Sequence, residues 1–278
     1  MDIASPQNPR VKHIVKLRDD KKTRKEDGLM LVEGFDEIQL AVSAGYKPQT
    51  LLSSPELASR SISGLSAETR RVATEGSVET RRVEPVETLT VSRAVFEKIS
   101  YRENPDGWLA IFPIPHTTFD DLKLSDAPLV IVAESVEKPG NLGAIFRTAD
   151  AAGVDALLLC DPRVDLWNPN VVRASRGAVF SVPVVECDNA GALEWLNRGA
   201  MRVLAATPSA DEMYSDVNLR EAVAIAVGTE DAGLTDFWLE NADVKVKIPM
   251  MGRVNSLNVS VSTALILYEA VRQRKAGG

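Results

Sequence analysis

The second half of the chain alternates between short, nearly continuous apolar runs and stretches in which apolar residues recur with helical spacing. The apolar runs predict strands at 128–134, 156–160, 181–186, 202–207, 222–228 and 244–249. The stretches between them predict helices at about 142–152, 168–178, 190–198, 235–241 and 258–274. Apolar strands separated by helices are typical of a parallel sheet with helices on both faces. We therefore predict one α/β domain over residues 128–278.

The first part of the chain has a less regular pattern, which predicts a smaller α/β domain over residues 1–115. Its helical and strand-like stretches lie at 9–19, 28–34, 35–44, 49–54 and 105–115. The last stretch ends in prolines, which cannot donate to a sheet, and residues 116–127 predict a linker. The pentapeptide Glu-Thr-Arg-Arg-Val occurs at 68–72 and again at 79–83. Two short copies are too few for a repeat architecture and predict a surface loop.

The composition is that of a globular protein with a substantial core, since 45% of the 278 residues are hydrophobic and 26% are charged. The apolar runs are too short to cross a bilayer, and the first residues lack the apolar segment of a signal peptide. Only two cysteines occur, Cys160 and Cys187, and buried thiols are favoured over a disulfide or a metal pair. We expect a cytoplasmic protein without a membrane or metal partner.

Charge is unevenly distributed along the chain. The formal net charge of −7 argues mildly against nucleic acid as a partner. Residues 10–25 nevertheless form a basic segment at the front of an otherwise acidic chain. Such a segment indicates either a solvated helix face or an RNA-binding surface. The candidate RNA contacts in it are Arg10, Lys12, Lys21, Lys22, Arg24 and Lys25.

Three polar clusters follow predicted strands of the second half, at the sheet edge where α/β proteins bind ligands. The first places Asn141, Gly143 and Arg147 at the start of a helix whose apolar stripe must face the sheet. Glycine leaves room for close approach to the backbone, and arginine supplies a permanent planar cation. The alternative is a loop asparagine followed by an ordinary surface pair of Arg147 and Asp150.

The second cluster, Gly-Thr-Glu at 228–230, ends a strand and is followed by a loop that Gly233 closes. It has neither a P-loop ending nor a dinucleotide fingerprint, and alone it is compatible with a simple turn. The third cluster is Asn255, Ser256 and Asn258, between the last predicted strand and a long helix. Asn255 or Ser256 can cap that helix, which leaves the other polar residues as candidates for binding a ligand.

The order and spacing of these clusters resemble the three signature motifs of the SpoU/TrmH family of the SPOUT superfamily. The motifs are Asn-x-Gly-x-x-x-Arg from Asn141, Gly-x-Glu from Gly228, and Ile-Pro-Met…Ser-Leu-Asn-Val-Ser from Ile248. The similarity covers residues 129–274. Thr229 departs from the usual Asn or Ser of the second motif, but a hydroxyl is retained, so we expect activity. Members are RNA ribose 2′-O-methyltransferases that use S-adenosylmethionine.

The resemblance implies a C-terminal trefoil knot, a homodimer formed through the C-terminal domain, and an N-terminal ribosomal-protein-type RNA-binding domain. The residues implied to be catalytic are Arg147, Asn141, Glu230, Ser256 and Asn258. The residues implied to bind S-adenosylmethionine are Thr207, Gly228, Ile248, Met250 and Leu257. Arg173 and Arg176 are implied to hold RNA phosphates, unless they only solvate their helix. A guanidinium has a pKa above about 12, so we expect Arg147 to bind negative charge rather than take a proton.

The expected activity is methylation of a ribose 2′-hydroxyl in RNA, with S-adenosylmethionine as donor and without a metal ion. Ribosomal 23S RNA is preferred over transfer RNA because members that modify transfer RNA tend to have short helical extensions instead of a recognition domain. Two other classes stay open. One is an RNA-binding protein that has lost catalysis, which the intact polar motifs disfavour, and the other is a small-molecule enzyme that uses a nucleotide.

Overall fold

The computed structural model of the chain describes residues 2–60 and 86–276, so the two repeated pentapeptides at 68–72 and 79–83 lie outside the described residues. The chain divides into two compact units. Unit 1 comprises Met1–Pro115 and Trp167–Ser181, and unit 2 comprises His116–Leu166 and Val182–Gly278. Trp167–Ser181 falls within the range predicted for the second domain, yet it packs with unit 1, where Phe180 lies 5.2 Å from Tyr46 between ring centroids.

Unit 1 contains a four-stranded sheet with the strand order β1-β4-β2-β3. Its strands are β1 (Leu29–Glu33), β2 (Thr50–Ser53), β3 (Glu87–Thr90) and β4 (Trp108–Pro113). Its helices are α1 (Pro9–Asp19), α2 (Lys21–Asp27), α3 (Phe35–Ser43), α4 (Arg93–Ile99) and α6 (Pro169–Ser175). Strand β4 pairs antiparallel with β1 and β2, whereas β2 and β3 are parallel. The elements predicted from 9 to 54 and at 105–115 are confirmed, whereas α2, β3 and α4 were not predicted.

Local sequence chemistry sets the ends of the first two helices. The Asn8 side chain accepts a hydrogen bond from the backbone N–H of Arg10 and so caps α1. Asp20 ends α1 and caps α2 by accepting from the backbone N–H groups of Lys22 and Thr23. Gly28 ends α2 with a φ of 64°, in the left-handed region that glycine adopts without strain. Leu17 of α1 and Phe96 of α4 are fully buried in one core with the strand residues Leu52 and Leu109.

Unit 2 contains a seven-stranded parallel sheet with the order β7-β6-β5-β10-β8-β11-β9. Its strands are β5 (Leu129–Glu134), β6 (Ala156–Cys160), β7 (Val184–Cys187), β8 (Arg202–Ala206), β9 (Glu212–Met213), β10 (Val223–Val227) and β11 (Val244–Lys247). Its helices are α5 (Pro139–Ala152), α7 (Asn189–Arg198), α8 (Asp236–Asn241) and α9 (Val259–Lys275). The predicted parallel α/β sheet and its six predicted strands are confirmed. The two-residue strand β9 is too short to carry a pattern.

Both faces of the unit 2 sheet are covered because successive strand residues point to opposite sides. Val130 and Val132 of β5 share a core with Leu196 of α7 and Trp238 of α8. On the other face α9 packs against α5 and β10. Among the described residues no helix is long and apolar enough to cross a membrane.

The strand order reverses its direction beside β5. From β5 the chain passes to β6 and β7 at one edge, and it then returns to place β8, β10 and β11 on the other side. Loops that follow strands on the two sides of such a reversal diverge and leave a crevice at the carboxyl edge of the sheet. The three polar clusters all follow strands that end at this edge.

Candidate active site

A cavity of about 460 Å³ lies at the carboxyl ends of β8, β10 and β11 in unit 2. All the residues expected to bind S-adenosylmethionine line it, namely Thr207, Gly228, Ile248, Met250 and Leu257. Glu230 and Ser256 also line it, whereas Asn141, Arg147 and Asn258 do not. Three loops that are distant in the sequence therefore surround one space.

Gly228 ends β10 at a point where the following loop folds back against it. The backbone N–H of Thr229 donates to the carbonyl of Gly233 at 2.9 Å, and the N–H of Gly233 donates back at 3.1 Å. A β-carbon on Gly228 would lie 2.0 Å from the Gly233 oxygen and 2.3 Å from the nitrogen of Leu234, so no side chain fits. The Thr229 hydroxyl accepts from the N–H of Ala232 at 3.0 Å. Threonine at this position therefore helps to close the loop.

The carboxylate of Glu230 binds three side chains, two from the start of α5 and one from the start of α9. The Asn141 side-chain amide donates to Oε1 at 2.6 Å, and the Asn258 amide donates to the same oxygen. Lys138 forms an ion pair with Oε2. The Asn258 amide nitrogen also lies 3.1 Å from Oδ1 of Asn141. The structure thus brings Asn141, Glu230 and Asn258 together, one from each polar cluster.

The charges of this group are set by the same contacts. Lys138, and after it Asn141, hold the pKa of Glu230 below its ordinary value, and the Glu230 carboxylate raises the pKa of Lys138. Both side chains are therefore ionised at neutral pH. A carboxylate that already accepts three hydrogen bonds is a weak proton acceptor. The arrangement suits Glu230 to hold the two amides in place rather than to remove a proton.

Asn258 also begins the last helix. Its Oδ1 accepts from the backbone N–H of Ser260 at 3.0 Å and from the Ser260 hydroxyl at 2.6 Å, which caps α9. The expectation that Asn255 or Ser256 caps this helix is wrong, because both residues lie in the exposed loop before it. One asparagine thus caps α9 with its oxygen and binds Glu230 with its nitrogen, while Asn255 and Ser256 line the cavity.

Arg147 lies on α5 six residues after Asn141. Its side chain is exposed and stays outside the cavity. Six residues of an α-helix turn the side-chain direction by about 120° net, so Arg147 and Asn141 leave the helix on different sides. The structure therefore does not join Arg147 to the Glu230 group, and leaves an exposed planar cation on the same helix.

One of the RNA-binding candidates in unit 1 does not fit its expected role. The side chain of Arg24 is only 2% exposed, and its guanidinium donates to the carbonyls of Leu17 at 2.6 Å and Arg18 at 3.0 Å. These bonds satisfy carbonyl groups at the end of α1, so Arg24 is a structural residue rather than a phosphate contact. Arg10 remains exposed but forms an ion pair with Glu87 at 2.6 Å.

The other RNA-binding candidates are all exposed, namely Lys12, Lys21, Lys22, Lys25, Arg173 and Arg176. Arg173 and Arg176 belong to the segment of unit 1 that contains α6. The guanidinium carbon of Arg173 lies 5.7 Å from the ring centroid of Tyr101. Arg176 ends α6 with a φ of 52°.

Two charged residues of unit 2 were missed by the sequence predictions. Lys138 directly precedes α5 and belongs to no motif position, and only its closeness to Asn141 in the sequence could have indicated it. Glu134 ends the apolar strand β5 and is 1% exposed. Its carboxylate accepts from the Asn189 side chain at 2.7 Å and from the Thr235 backbone N–H at 2.8 Å, and so connects β5 to the starts of α7 and α8. The position of Glu134 at the end of an apolar run could have indicated a buried carboxylate with a structural role.

The two cysteines are free thiols at the ends of the paired strands β6 and β7, with sulfur atoms 3.7 Å apart. The hydrogen bond with Cys187 and burial raise the pKa of Cys160 well above its ordinary value, so the Cys160 thiol stays protonated. Cys160 is buried and Cys187 is partly buried, as the sequence predicts. Within the described part of the chain, His, Cys, Asp and Glu form no group that could hold a metal ion.

The fold and the site define an α/β enzyme domain with a ligand cavity at the carboxyl edge of a parallel sheet. Comparison with protein families narrows this class. The model of the SpoU rRNA methylase family matches residues 128–268, and the model of the MRM3-like substrate binding domain matches residues 8–110. The chain belongs to the SpoU rRNA methylase family.

Curated relatives match along almost the whole chain. The 23S rRNA (uridine(2479)-2′-O)-methyltransferase of Streptomyces viridochromogenes is 30% identical over 97% of this chain and 92% of its own length. The 23S rRNA (guanosine(2553)-2′-O)-methyltransferase RlmP of Bacillus subtilis is 30% identical over 96% of this chain and 97% of its own length. Both units are therefore covered by these similarities.

Solved structures of RNA methyltransferases have the same fold as this chain. A crystal structure of an RNA 2′-O ribose methyltransferase is 40% identical, with a TM-score of 0.81 over 99% of this chain and 100% of that one. The AdoMet-bound rRNA methyltransferase from Sinorhizobium meliloti is 29% identical, with a TM-score of 0.83 over 98% of this chain and 97% of that one. The latter protein holds S-adenosylmethionine in a fold that this chain shares.

Proposed function

We propose that this protein is an RNA 2′-O-methyltransferase that transfers the methyl group of S-adenosylmethionine to a ribose 2′-hydroxyl of 23S ribosomal RNA. The proposal rests on the agreement between the activity of the relatives and the position of the family's motif residues in this structure. Relatives that are 30% identical along nearly the whole chain methylate 23S rRNA. Residues of the second and third family motifs line one cavity, and Asn141 of the first motif is hydrogen-bonded to Glu230 at its wall. Such a substrate implies that the protein works in the cytoplasm with the ribosome.

The cavity suits S-adenosylmethionine in size and lining. Its volume of about 460 Å³ lies within the usual range for small-molecule sites. Gly228, Ile248 and Leu257 offer backbone groups to an adenosine, and Thr207 and Met250 complete the wall. The close packing of Gly228 against the backbone of Gly233 and Leu234 holds the loop that lines the cavity in place. When bound, S-adenosylmethionine supplies an activated methyl group on a sulfonium.

The protein's own part in the reaction is alignment and charge stabilisation. Glu230 holds the amides of Asn141 and Asn258, and these fix the start of α9 and the loop that carries Ser256. Ser256 faces the acceptor. Arg147, which is exposed and permanently charged, binds the phosphate beside the target ribose and the alkoxide that develops on it.

The domain organisation proposed from the sequence is a substrate-binding domain at 1–115, a linker at 116–127 and a methyltransferase domain at 128–278. The match of the substrate-binding model to residues 8–110 supports the first part. The exposed lysines of α1 and α2 give it a surface for RNA phosphates. We further propose that the chain end from β11 to α9 forms the trefoil knot of the family, because its loop 250–257 closes the same cavity as the loop after β10.

A homodimer through unit 2 is part of the proposal. Helices α5 and α9 present an apolar groove to solvent, in which Val261, Leu265 and Tyr268 are 46%, 38% and 50% exposed. Several large apolar side chains side by side are typical of an interface. A second copy of the chain can cover them by placing its own α9 there, as two-fold symmetry requires. Light scattering of wild-type protein and of Leu265→Asp should give a dimer and a monomer; a monomeric wild type refutes this part.

The activity is tested with methyl-labelled S-adenosylmethionine and unmodified 23S rRNA or bulk tRNA. We expect label in 23S rRNA, removable by ribonuclease. Label in tRNA alone would favour the alternative substrate, label that survives ribonuclease would indicate a small-molecule acceptor, and RNA binding without label would indicate an inactive protein.

Arg147→Ala should lower transfer by about 10²–10³-fold, the usual effect of removing a group that stabilises transition-state charge. Calorimetry should show nearly unchanged cofactor affinity, and loss of that affinity would contradict the role of Arg147.

A further inference from the structure

Tyr101 is an exposed aromatic residue on a firmly held loop of unit 1. It is 42% exposed and lies two residues after the end of α4. Its backbone N–H donates at 2.7 Å to the Glu33 carboxylate, and the Ser100 hydroxyl donates to the same carboxylate at 2.5 Å. Glu33 is only 7% exposed, and burial raises its pKa. A buried carboxylate is therefore used to fix the backbone that presents this ring.

A planar cation lies next to the ring. The guanidinium carbon of Arg173 is 5.7 Å from the Tyr101 ring centroid, within the range of a cation–π contact. The Arg173 side chain is oriented by a hydrogen bond of 3.0 Å to Oδ1 of Asn170. No carboxylate in the described part of the chain lies within ion-pair distance of Arg173, so its charge is not neutralised by an acidic group. Aromatic ring and cation thus form one exposed platform.

A second arginine extends the platform. Arg176 follows Arg173 by three residues, ends α6 and is exposed. Its backbone is left-handed and no longer helical, but it lies only three positions from Arg173 in the chain and adds a second exposed positive charge to this segment. Tyr101, Arg173 and Arg176 all belong to unit 1, the unit that contains the region matched by a substrate-binding model.

We infer that Tyr101, Arg173 and Arg176 form a binding site for an unpaired nucleotide of the RNA substrate. An unpaired base stacks on the Tyr101–Arg173 platform, and Arg176 binds an adjoining phosphate. Proteins read single-stranded RNA in this way, by stacking bases on aromatic rings and guanidinium planes, whereas a duplex keeps its bases inside. The inference rests on the proposed function and adds to it a recognition site for single-stranded RNA.

Binding of a labelled 12-nucleotide single-stranded RNA and of its fully paired duplex, measured by fluorescence anisotropy, tests the stacking. Tyr101→Ala and Tyr101→Leu should weaken single-strand binding by about 5- to 150-fold, the range known for loss of one stacked base. Tyr101→Phe should stay within about twofold of the wild type, and duplex binding should not change. Arg198→Ala, which removes an exposed charge from unit 2, is the control. Circular dichroism checks that each variant is folded.

The salt dependence separates the arginine from the tyrosine. Each phosphate contact contributes about 0.7 to the slope of log K against log salt for single strands, so Arg176→Ala should reduce that slope by about 0.7. Tyr101→Ala should leave the slope unchanged. Wild-type protein without preference for the single strand, a Leu variant as tight as the Phe variant, or equal losses for the duplex would each overturn the inference. Methyl transfer to 23S rRNA is assayed separately, so a failure of the proposed function is distinguishable from a failure of this site.

Discussion

Replacing Gly228 with alanine tests whether the cavity depends on the close approach between β10 and the loop that follows it. The new β-carbon would lie 2.0 Å from the Gly233 carbonyl oxygen and 2.1 Å from its carbon, whereas ordinary contact begins at 3.4 Å. The neighbouring atoms are backbone, so they cannot turn away as a side chain does. The loop must move by about 1.4 Å, or β10 must distort.

The size of the effect follows from what the displacement breaks. The two hydrogen bonds between Thr229 and Gly233 contribute about 0.5–1.5 kcal/mol each. Steric overlap in a packed site adds about 1–3 kcal/mol. We therefore expect a total of roughly 2–6 kcal/mol. If the loop stays in place, this cost lowers the free energy of unfolding. If the loop moves, the cavity changes shape and part of the cost is seen as weaker ligand binding.

Urea unfolding and calorimetry with S-adenosylmethionine measure the two parts. Gly140→Ala is a matched control, because nothing lies within 4 Å of a β-carbon there and the residue is helical. That variant should be as stable as the wild type or more stable by up to about 1 kcal/mol, the difference in helix propensity. If Gly228→Ala changed neither the unfolding free energy nor the ligand affinity by more than about 0.5 kcal/mol, the reasoning about this contact would be refuted.

Three further predictions concern charged residues. Lys138→Met should move the acid limb of the methyl-transfer rate to higher pH: Lys138 holds the pKa of Glu230 low, and without it the needed carboxylate is lost at a higher pH as the solution is acidified. Lys138→Arg should keep the wild-type profile, and identical profiles for Met and Arg would contradict the role of the ion pair. Arg24→Ala should lower the free energy of unfolding by about 1.5–3 kcal/mol without changing the salt dependence of RNA binding. Lys21→Ala should reduce the salt dependence of RNA binding and leave the free energy of unfolding unchanged. Urea unfolding and salt titrations of RNA binding measure the two quantities. Glu134→Gln should cost about 1–3 kcal/mol in urea unfolding, because one buried acceptor is replaced by a donor, and a neutral result would show that the network rearranges.

The predictions that succeeded concern short stretches of chain. The parallel sheet, its six main strands and the helix after β5 follow from the spacing of apolar residues, since burial of a strand or a helix face is a local pattern. Predictions about individual polar side chains were less reliable. Arg24 sits in a basic run like its neighbours but turns inward to satisfy carbonyls of α1, and the helix cap falls on Asn258 rather than on Asn255 or Ser256.

The sequence by itself determined the class of fold and the residue types of the site, because hydrophobic period and motif spacing are properties of the linear chain. Only the tertiary structure decided which of these residues meet. Asn141 and Glu230 are 89 positions apart and Asn141 and Asn258 are 117 apart, yet they share hydrogen bonds. Lys138 enters the same group without belonging to a motif. Such contacts depend on the order of strands in the sheet, which sets the distance between loops and which no local pattern encodes.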